Sequence, residues 1–459
     1  MLINNSLAVL VSVFLFTSHS FASERNHSAL QPNIVFILID DLGIDWVSAY
    51  GAAHSTPNID SLASKGVRFG TAWTAPICTP SRVTILTGRY NGYTGWTEHY
   101  DVPRWGGEGL SADLFPTWPQ LLDDAGYTTA IVGKWQINDL RLEPDILKQH
   151  GFDRHCVWPG VESDNPQSEE RYWDPYLQID GVRRIHRGAY GPDVCQAFAL
   201  QFLRENHDRP FLLFYPKIDV HDPIEPTPWN RENPPDELPG LFGDAVTYMD
   251  HHIGEILDEI DALGVSENTI VVFMGDNGSL IGGIVNGRQW SRGKSYTTNA
   301  GVQVPLVVRA PMYTRGGWAT EALVDSSDLF PTLLEMSGLS QAGFPTDGHS
   351  LVPLLQRRED YRPREWIYAQ RGDNRVVRDQ RYKLDSDGRF FDLNRDPDEL
   401  EPIDPHGSVA SKTSHEKLSS VLERIPATAK PPFAEYSSER LEQYLDNLRR
   451  QRDGAIERE

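Results

Sequence analysis

A chain of 459 residues is too long for one ordinary hydrophobic core, so the sequence predicts one large domain and a smaller one. With 39% hydrophobic and 24% charged residues it suits a soluble globular protein, not a disordered or membrane-spanning one. A formal net charge of −22 argues against nucleic acid and against anionic membrane surfaces as partners.

The stretch LAVLVSVFLFTSHSFASE near the start is an apolar run of signal-peptide length followed by small residues. Ser20-Phe21-Ala22 suits cleavage, so residues 1–22 are expected to be a signal peptide and the protein to be periplasmic or secreted. The run is short for a membrane span. Residues 33–40, NIVFILID, form a continuous apolar run ending in carboxylates, as in a parallel strand buried on both faces. TPNIDSLASKGV reads as a short helix. TAPICTPSRVTILTGRY follows, with an apolar-aromatic approach and then the first turns of another helix. Pro80 is tolerated just inside that helix start, and Ser81 is placed to satisfy free backbone N–H groups. Cys78 projects at the helix N-terminus, where partial positive charge favours an anion, and Arg82 lies one turn beyond it.

TWPQLLDDAGYTTAIVGKW predicts a helix, a turn and a strand ending at Lys134. Residues 139–190, rich in Pro, Asp, Arg and Trp, read as a surface loop. A helix from about Asp193 to Glu205 leads into the strand FLLFY and so to His221. The helix DAVTYMDHHIGEILDEIDALG comes next, with His251 and His252 read as surface residues. The strand TIVVFMGDNG, a basic loop, the strand VPLVVRA and the helix SSDLFPTLLEMSG complete the pattern. This alternation predicts an α/β domain over residues 23–355, with a large, mostly parallel sheet flanked by helices. Residues 356–459 read as a C-terminal subdomain, with a small antiparallel sheet turning at Gly-Asp-Asn and Asp-Gly and a charged helical tail from SSERLEQYL onward.

Asp40 and Asp41, Lys134, His221, and Asp276 with Asn277 each fall at or beyond the C-terminal end of a separate strand. That edge is where open α/β sheets place their sites. Three carboxylates and an amide oxygen converging there would repel unless a hard cation sat among them. Oxygen ligation favours Ca²⁺ or Mg²⁺ over zinc.

Cys78-Thr79-Pro80-Ser81-Arg82 followed by TGRY resembles the signature of the type I sulfatases, members of the alkaline-phosphatase-like superfamily. The resemblance implies that Cys78 is oxidised to formylglycine by a formylglycine-generating maturation enzyme, and that its hydrated aldehyde is the nucleophile. Asp40, Asp41, Asp276 and Asn277 match the family's metal ligands, with residue 78 as an additional one; calcium is the expected ion and magnesium the second choice. Gly133-Lys134-Trp135 matches a Gly-Lys-Trp-His block in which Lys binds the sulfate. Here Gln136 replaces the His that contacts formylglycine; Gln can hydrogen-bond but cannot act as a base. His221 in DVHDPIEP resembles a His-x-Pro segment at the sulfate or the leaving oxygen. Counted from Lys294, KSYTTNAGVQVP is in register with the family's K-G-x-x-x-E-G-G-x-R-V-P, departing at Asn299, Ala300 and Gln303. The segment RYKL…FFDLNRDPDEL is similar to the family's C-terminal subdomain.

The function implied is hydrolysis of sulfate esters, with Arg82, Lys134 and Lys294 stabilising the sulfuryl charge and His221 or Lys294 serving the departing oxygen. Because the bulk charge is acidic, the site must be locally basic. Export and the aromatic and basic loop residues Trp96, His99, Arg104, Trp105, Arg288, Trp290 and Arg292 point to a sulfated carbohydrate, an algal-type polysaccharide or oligosaccharide. Gln136, His99, Arg104, Arg288 and Arg292 are therefore expected to bind substrate. The alternatives are a phosphoester or phosphonate ester hydrolase of the same superfamily, or a non-catalytic protein binding sulfated glycans. With Cys78 converted, Cys156 and Cys195 remain as a disulfide or as two buried thiols.

Overall fold

The computed structural model describes residues 31–99, 109–141, 143–162 and 165–427. The expected signal peptide, the charged tail helix, Arg104 and Trp105 lie outside the described residues. The strands in chain order are β1 (Asn33–Ile39), β2 (Val67–Trp73), β3 (Thr128–Lys134), β4 (Arg154–Trp158), β5 (Tyr176–Ile179) and β6 (Val182–Ile185). They continue as β7 (Phe211–Lys217), β8 (Thr269–Gly275), β9 (Ile284–Val285), β10 (Arg288–Gln289), β11 (Leu306–Arg309) and β12 (Trp318–Asp325). The short pair β9 and β10 stands apart; the other strands form one ten-stranded sheet in the order β12-β2-β11-β8-β1-β7-β3-β4-β5-β6. Its centre, β8-β1-β7-β3-β4, is parallel throughout.

Every residue of β1 is buried, because both faces of the sheet are covered. Ile34, Phe36 and Leu38 meet Val83, Ile85 and Trp118 on one face. Val35, Ile37 and Ile39 meet Phe202, Met249 and Ile253 on the other. A continuous apolar run satisfies both, which is why the central strands were legible. The helix Cys78–Thr87 is buried on all sides and stops at Gly88, whose φ of 68° supplies the left-handed turn. The helix Leu238–Ala262 begins six residues earlier than the apolar pattern, with Pro239 in its first turn. It buries His252, contrary to the surface reading, while His251 remains partly exposed.

The segment read as a surface loop supplies β4, β5 and β6 instead. These strands have four or five residues, and the edge strand β6 is VRRI with alternate residues exposed. Charge on an edge strand prevents pairing with another chain and hides the strand from a hydrophobicity pattern.

The small sheet follows as expected: β13 (Ile367–Arg371), β14 (Asn374–Arg378), β15 (Tyr382–Asp385) and β16 (Phe390–Asp392), antiparallel in sequence order. One face packs Tyr382, Leu384 and Phe390 against Leu418, Val421 and Leu422 of an unpredicted helix, Val409–Arg424. That helix is capped by the reciprocal Ser408–Ser411 pair, but its apolar stripe is too narrow to stand out in the sequence. Ile367, Ala369 and Val376 instead meet Trp73, Val302 and Leu323 of the main sheet region. Two polar ties accompany this packing: Arg371 donates to Ser295 O (2.7 Å) and Lys383 to Thr297 O (2.7 Å). Both grip the chain just after Lys294. Among the described residues no helix is long and apolar enough to cross a membrane.

Lys383 is fully buried and pairs with Glu399, whose carboxylate also accepts from Asn299 N at 2.6 Å. Replacing Lys383 by Met leaves that carboxylate buried without a counter-charge, which costs about 3–5 kcal/mol. Urea unfolding should show a loss of this size; a midpoint equal to wild type would refute it.

Candidate active site

The C-terminal ends of β1, β3, β7 and β8 bring the site together. Backbone bonds fix the approach: Asp40 N donates to Lys217 O (3.0 Å), and Asp276 N donates to Ile39 O (2.9 Å). Asp41 N donates to Asp276 Oδ1 at 3.1 Å. Asp41 has φ 62°, a left-handed conformation that Asp tolerates better than most residues. Before Lys134, Gly133 has φ 112°, and a Cβ there would lie 2.1 Å from Pro216 O. Only glycine lets β3 and β7 come that close.

Asp40, Asp41 and Asp276 are completely buried, and three cations answer them. Lys134 Nζ lies 2.5 Å from Asp40 Oδ2, and Lys294 Nζ 2.6 Å from Asp41 Oδ2. Arg82 grips Asp276 Oδ2 with Nε (3.0 Å) and Nη2 (2.9 Å), and its Nη1 donates to Lys134 O at 2.9 Å. Asn277 Nδ2 donates to Asp41 Oδ1 at 2.8 Å. His221 Nε2 stands 3.1 Å from Lys294 Nζ and 3.8 Å from Asp41 Oδ2.

The protonation preferences are uneven. Burial raises the Asp40 pKa, but Lys134, His221, Arg82 and Lys294 outweigh it and hold that carboxyl well below its usual range. Burial pushes Asp41 up against the opposing charge of Lys294. Burial, reinforced by the charge of Asp40, pushes Asp276 well up. Burial and then Lys134 hold His221 well below the usual imidazole range. The cluster therefore has an appetite for further positive charge. Asp40 Oδ1 and Asn277 Oδ1 are buried acceptors without a hydrogen-bond partner, and ligand atoms of Asp40, Asp41 and His221 lie within 4.8 Å of one another. The oxygens of Asp40, Asp41, Asp276 and Asn277 fit a hard divalent cation.

Cys78 opens its helix directly after Ile77, with no side chain capping the first turn. Contrary to the sequence reading, Ser81 does not cap it; its hydroxyl donates back to Ala75 O (2.8 Å) and Ile77 O (3.0 Å). Cys78 Sγ lies 3.3 Å from Gln136 Oε1 and 4.0 Å from His99 Nδ1. Thr79 Oγ1 is 2.8 Å from His99 Nδ1, and Gln136 Nε2 is 3.3 Å from His99 Nε2. An imidazole thus stands beside residue 78 although position 136 has none.

The Sulfatase family model matches residues 32–339. The chain belongs to the sulfatase family. It is 33% identical over 352 residues to N-acetylgalactosamine-6-sulfatase of Rattus norvegicus, a match covering 71% of this chain and 66% of that protein. It is 27% identical over 519 residues to N-acetylgalactosamine-6-O-sulfatase of Bacteroides thetaiotaomicron, covering 92% of this chain and 99% of that one. The crystal structure of Ps i-CgsB in complex with k-i-k-neocarrahexaose shares the fold, with a TM-score of 0.75 at 22% identity, over 91% of this chain and 97% of that one.

Within this member of the family the structure gathers Asp40, Asp41, Cys78, Arg82, His99, Lys134, Gln136, His221, Asp276, Asn277 and Lys294. Several residues expected at the substrate go elsewhere. Arg288 pairs with Asp398, and Arg292 is exposed on the loop before Lys294; no described contact joins either to the cluster. Trp96 is fully buried in the main core, and the partly buried Trp290 packs against the opposite one. Cys156 and Cys195 are free, with sulfurs 4.0 Å apart.

Two neighbours of the site escaped the sequence reading. Lys217, at the end of β7, pairs with Asp219 (3.1 Å) and stands 3.4 Å from His252 Nδ1. Its position at the end of an apolar strand, like that of Lys134, was the available signal. Arg171 reaches to 3.3 Å from His221 Nδ1. It lies in the segment read as loop, where no periodicity marks it. Next to it, Tyr172 donates its hydroxyl to Ile218 O and His221 O, holding the turn that carries His221.

Proposed function

We propose that this protein hydrolyses sulfate monoesters of a carbohydrate after conversion of Cys78 to formylglycine by a maturation enzyme. Asp40, Asp41, Asp276, Asn277 and residue 78 would hold Ca²⁺, with Mg²⁺ as the second choice. The observation that carries this reading is Cys78 at an uncapped helix start beside three buried carboxylates balanced by Arg82, Lys134 and Lys294. When bound, formylglycine supplies a nucleophilic oxygen and the cation supplies positive charge that favours its ionisation and draws electrons from the sulfuryl group.

The chain's own residues do the rest. Lys134 and Lys294 are anchored on Asp40 and Asp41, so their donors meet the sulfuryl oxygens with little reorganisation. His221 Nδ1 lies 2.6 Å from Asp222 O, which commits its proton to that carbonyl. Nε2 then accepts from Lys294, and the proton closest to the departing oxygen is the lysine's. On the opposite side Gln136 can hold an oxygen at residue 78 but cannot take its proton. His99, fixed by Thr79 and Gln136, supplies the base there. The substrate is a sulfated sugar. The relatives named for N-acetylgalactosamine 6-sulfate and the fold neighbour carrying a neocarrahexaose support this. The N-terminal segment supports export to the periplasm or the medium, where such glycans are met.

Cys78→Ala should abolish sulfate release from sulfated galactosamine and galactan oligosaccharides while leaving the circular dichroism spectrum unchanged. Near-wild-type turnover would refute the nucleophile.

Chelator treatment should lower the thermal midpoint and calcium should restore it, with about one calcium per chain by elemental analysis. Asp40→Asn should lose the calcium-dependent rise. Stoichiometric zinc, or a midpoint indifferent to both treatments, would refute the oxygen-ligated site.

His99→Gln should slow turnover about a hundredfold to ten-thousandfold. Adding Gln136→His to that variant should restore part of the rate by returning an imidazole to residue 78. A His99→Gln enzyme as fast as wild type would remove His99 from the mechanism.

A further inference from the structure

Among the described residues, Arg82, Arg171, Arg309, Arg364 and Arg378 are buried. Arg82 and Arg364 grip the carboxylates of Asp276 and Asp328. Arg309 and Arg378 donate to backbone carbonyls. Arg171 donates to no oxygen among the described residues. Its recorded polar contact is His221 Nδ1 at 3.3 Å, whose proton is already given to Asp222 O, while the Glu225 carboxylate feels its charge without a hydrogen bond to it. Its Nε is buried without a hydrogen-bond partner. The guanidinium is braced against the Trp158 ring, 4.8 Å from its centroid.

A guanidinium does not discharge by losing its proton, so a buried one lacking an acceptor is costly. The row Lys294–His221–Arg171 explains where an acceptor would come from. Lys294 is 3.1 Å from Nε2 of the imidazole and Arg171 3.3 Å from Nδ1, so Arg171 stands one ring away from the group that meets the departing oxygen. Residues 159–162, which follow Trp158, line a narrow cleft together with Gln136.

We propose that Arg171 receives a second anionic substituent on the sugar that carries the scissile sulfate, or on the sugar linked to it. The proposal rests on the sulfatase reading above. The planar fork of a guanidinium suits a carboxylate or a second sulfate equally, so the recognised chemistry is an oxyanion with paired oxygens. Such a contact makes Arg171 a specificity-determining residue, choosing among sulfated glycans by their neighbouring charge.

The test uses the full chain and two matched pairs of disaccharides. In one pair a monosulfated sugar gains a second sulfate; in the other its neutral neighbour becomes a uronate. For wild type, Arg171→Gln and Arg171→Lys, kcat/KM is measured by sulfate release, and Kd is measured by calorimetry on the unmatured Cys78 form. Wild type should prefer one doubly anionic partner about tenfold to a hundredfold. Arg171→Gln should lose that preference and Arg171→Lys keep part of it; the pair that responds identifies sulfate or carboxylate. A wild type without preference overturns the proposal. So does an Arg171→Gln variant with an unchanged ratio, even if both rates fall, because that loss would come through His221 or through folding. If no sulfate is released from any substrate, the hydrolase reading fails. The Kd ratio then decides for Arg171 alone: its collapse in Arg171→Gln supports the proposal, and its persistence overturns it.

Discussion

Six charges buried together at one sheet edge govern the rest of this structure. Asp40, Asp41 and Asp276 would each lose several kcal/mol of hydration on burial, and no single cation could answer all of them. Arg82, Lys134 and Lys294 divide the task, and they come from three separate elements. Arg82 belongs to the helix after β2, Lys134 ends β3, and Lys294 follows the β9–β10 pair. Removing any cation strands a carboxylate contributed by another element, so the site and the packing around it form together. Arg82 makes the dependence explicit by donating to Lys134 O as well as to Asp276. It ties a helix to two strands on either side of β1 and β7.

The small antiparallel sheet belongs to the same logic. Lys294 sits on a loop, and a loop alone would hold it loosely. Arg371 and Lys383 clamp the carbonyls of Ser295 and Thr297, and Glu399 takes the N–H of Asn299. The departures from the family pattern at Asn299 and Ala300 fall in this clamped stretch. The contacts there are largely backbone: a Cβ on Gly278 would lie 1.9 Å from Ala300 O, and one on Gly301 would lie 1.8 Å from Tyr296 O.

What the sequence revealed follows from where its signals are local. The apolar runs of β1, β7 and β8 are unmistakable because both their faces are buried, and the polar residues that end them announce the site. Asp40, Asp41, Asp276 and Asn277 could be found for that reason, Lys134 by the same signal at the end of β3, and Cys78 by the Cys-Thr-Pro-Ser-Arg signature. The edge strands β4 to β6 carry too much charge for the same signal, and Arg171 was lost with them. His252 was misplaced because the apolar stripe of its helix, Val246, Met249, Ile253, Ile256 and Ile260, hides that the adjoining face meets Lys217 and Asp219. The place of His99 beside Cys78 depends on a contact between segments that no spacing encodes.

The acidic surface and the anionic substrate are compatible once range is considered. Exposed charges separated by more than about 8 Å are largely screened at physiological ionic strength. The net charge of −22 therefore acts on solubility and on distant partners more than on a small anion already in the cleft. Inside, screening is weak and the nearest groups decide. Three carboxylates against three cations leave the buried cluster neutral, as the contacts show. A divalent cation in their midst would make it doubly positive, which a sulfate monoester reduces by one charge. Burial, and after it the charge of Asp40, pushes Asp276 up, and burial pushes Asp41 up against the charge of Lys294. The basic site required of a sulfatase is thus built from acids.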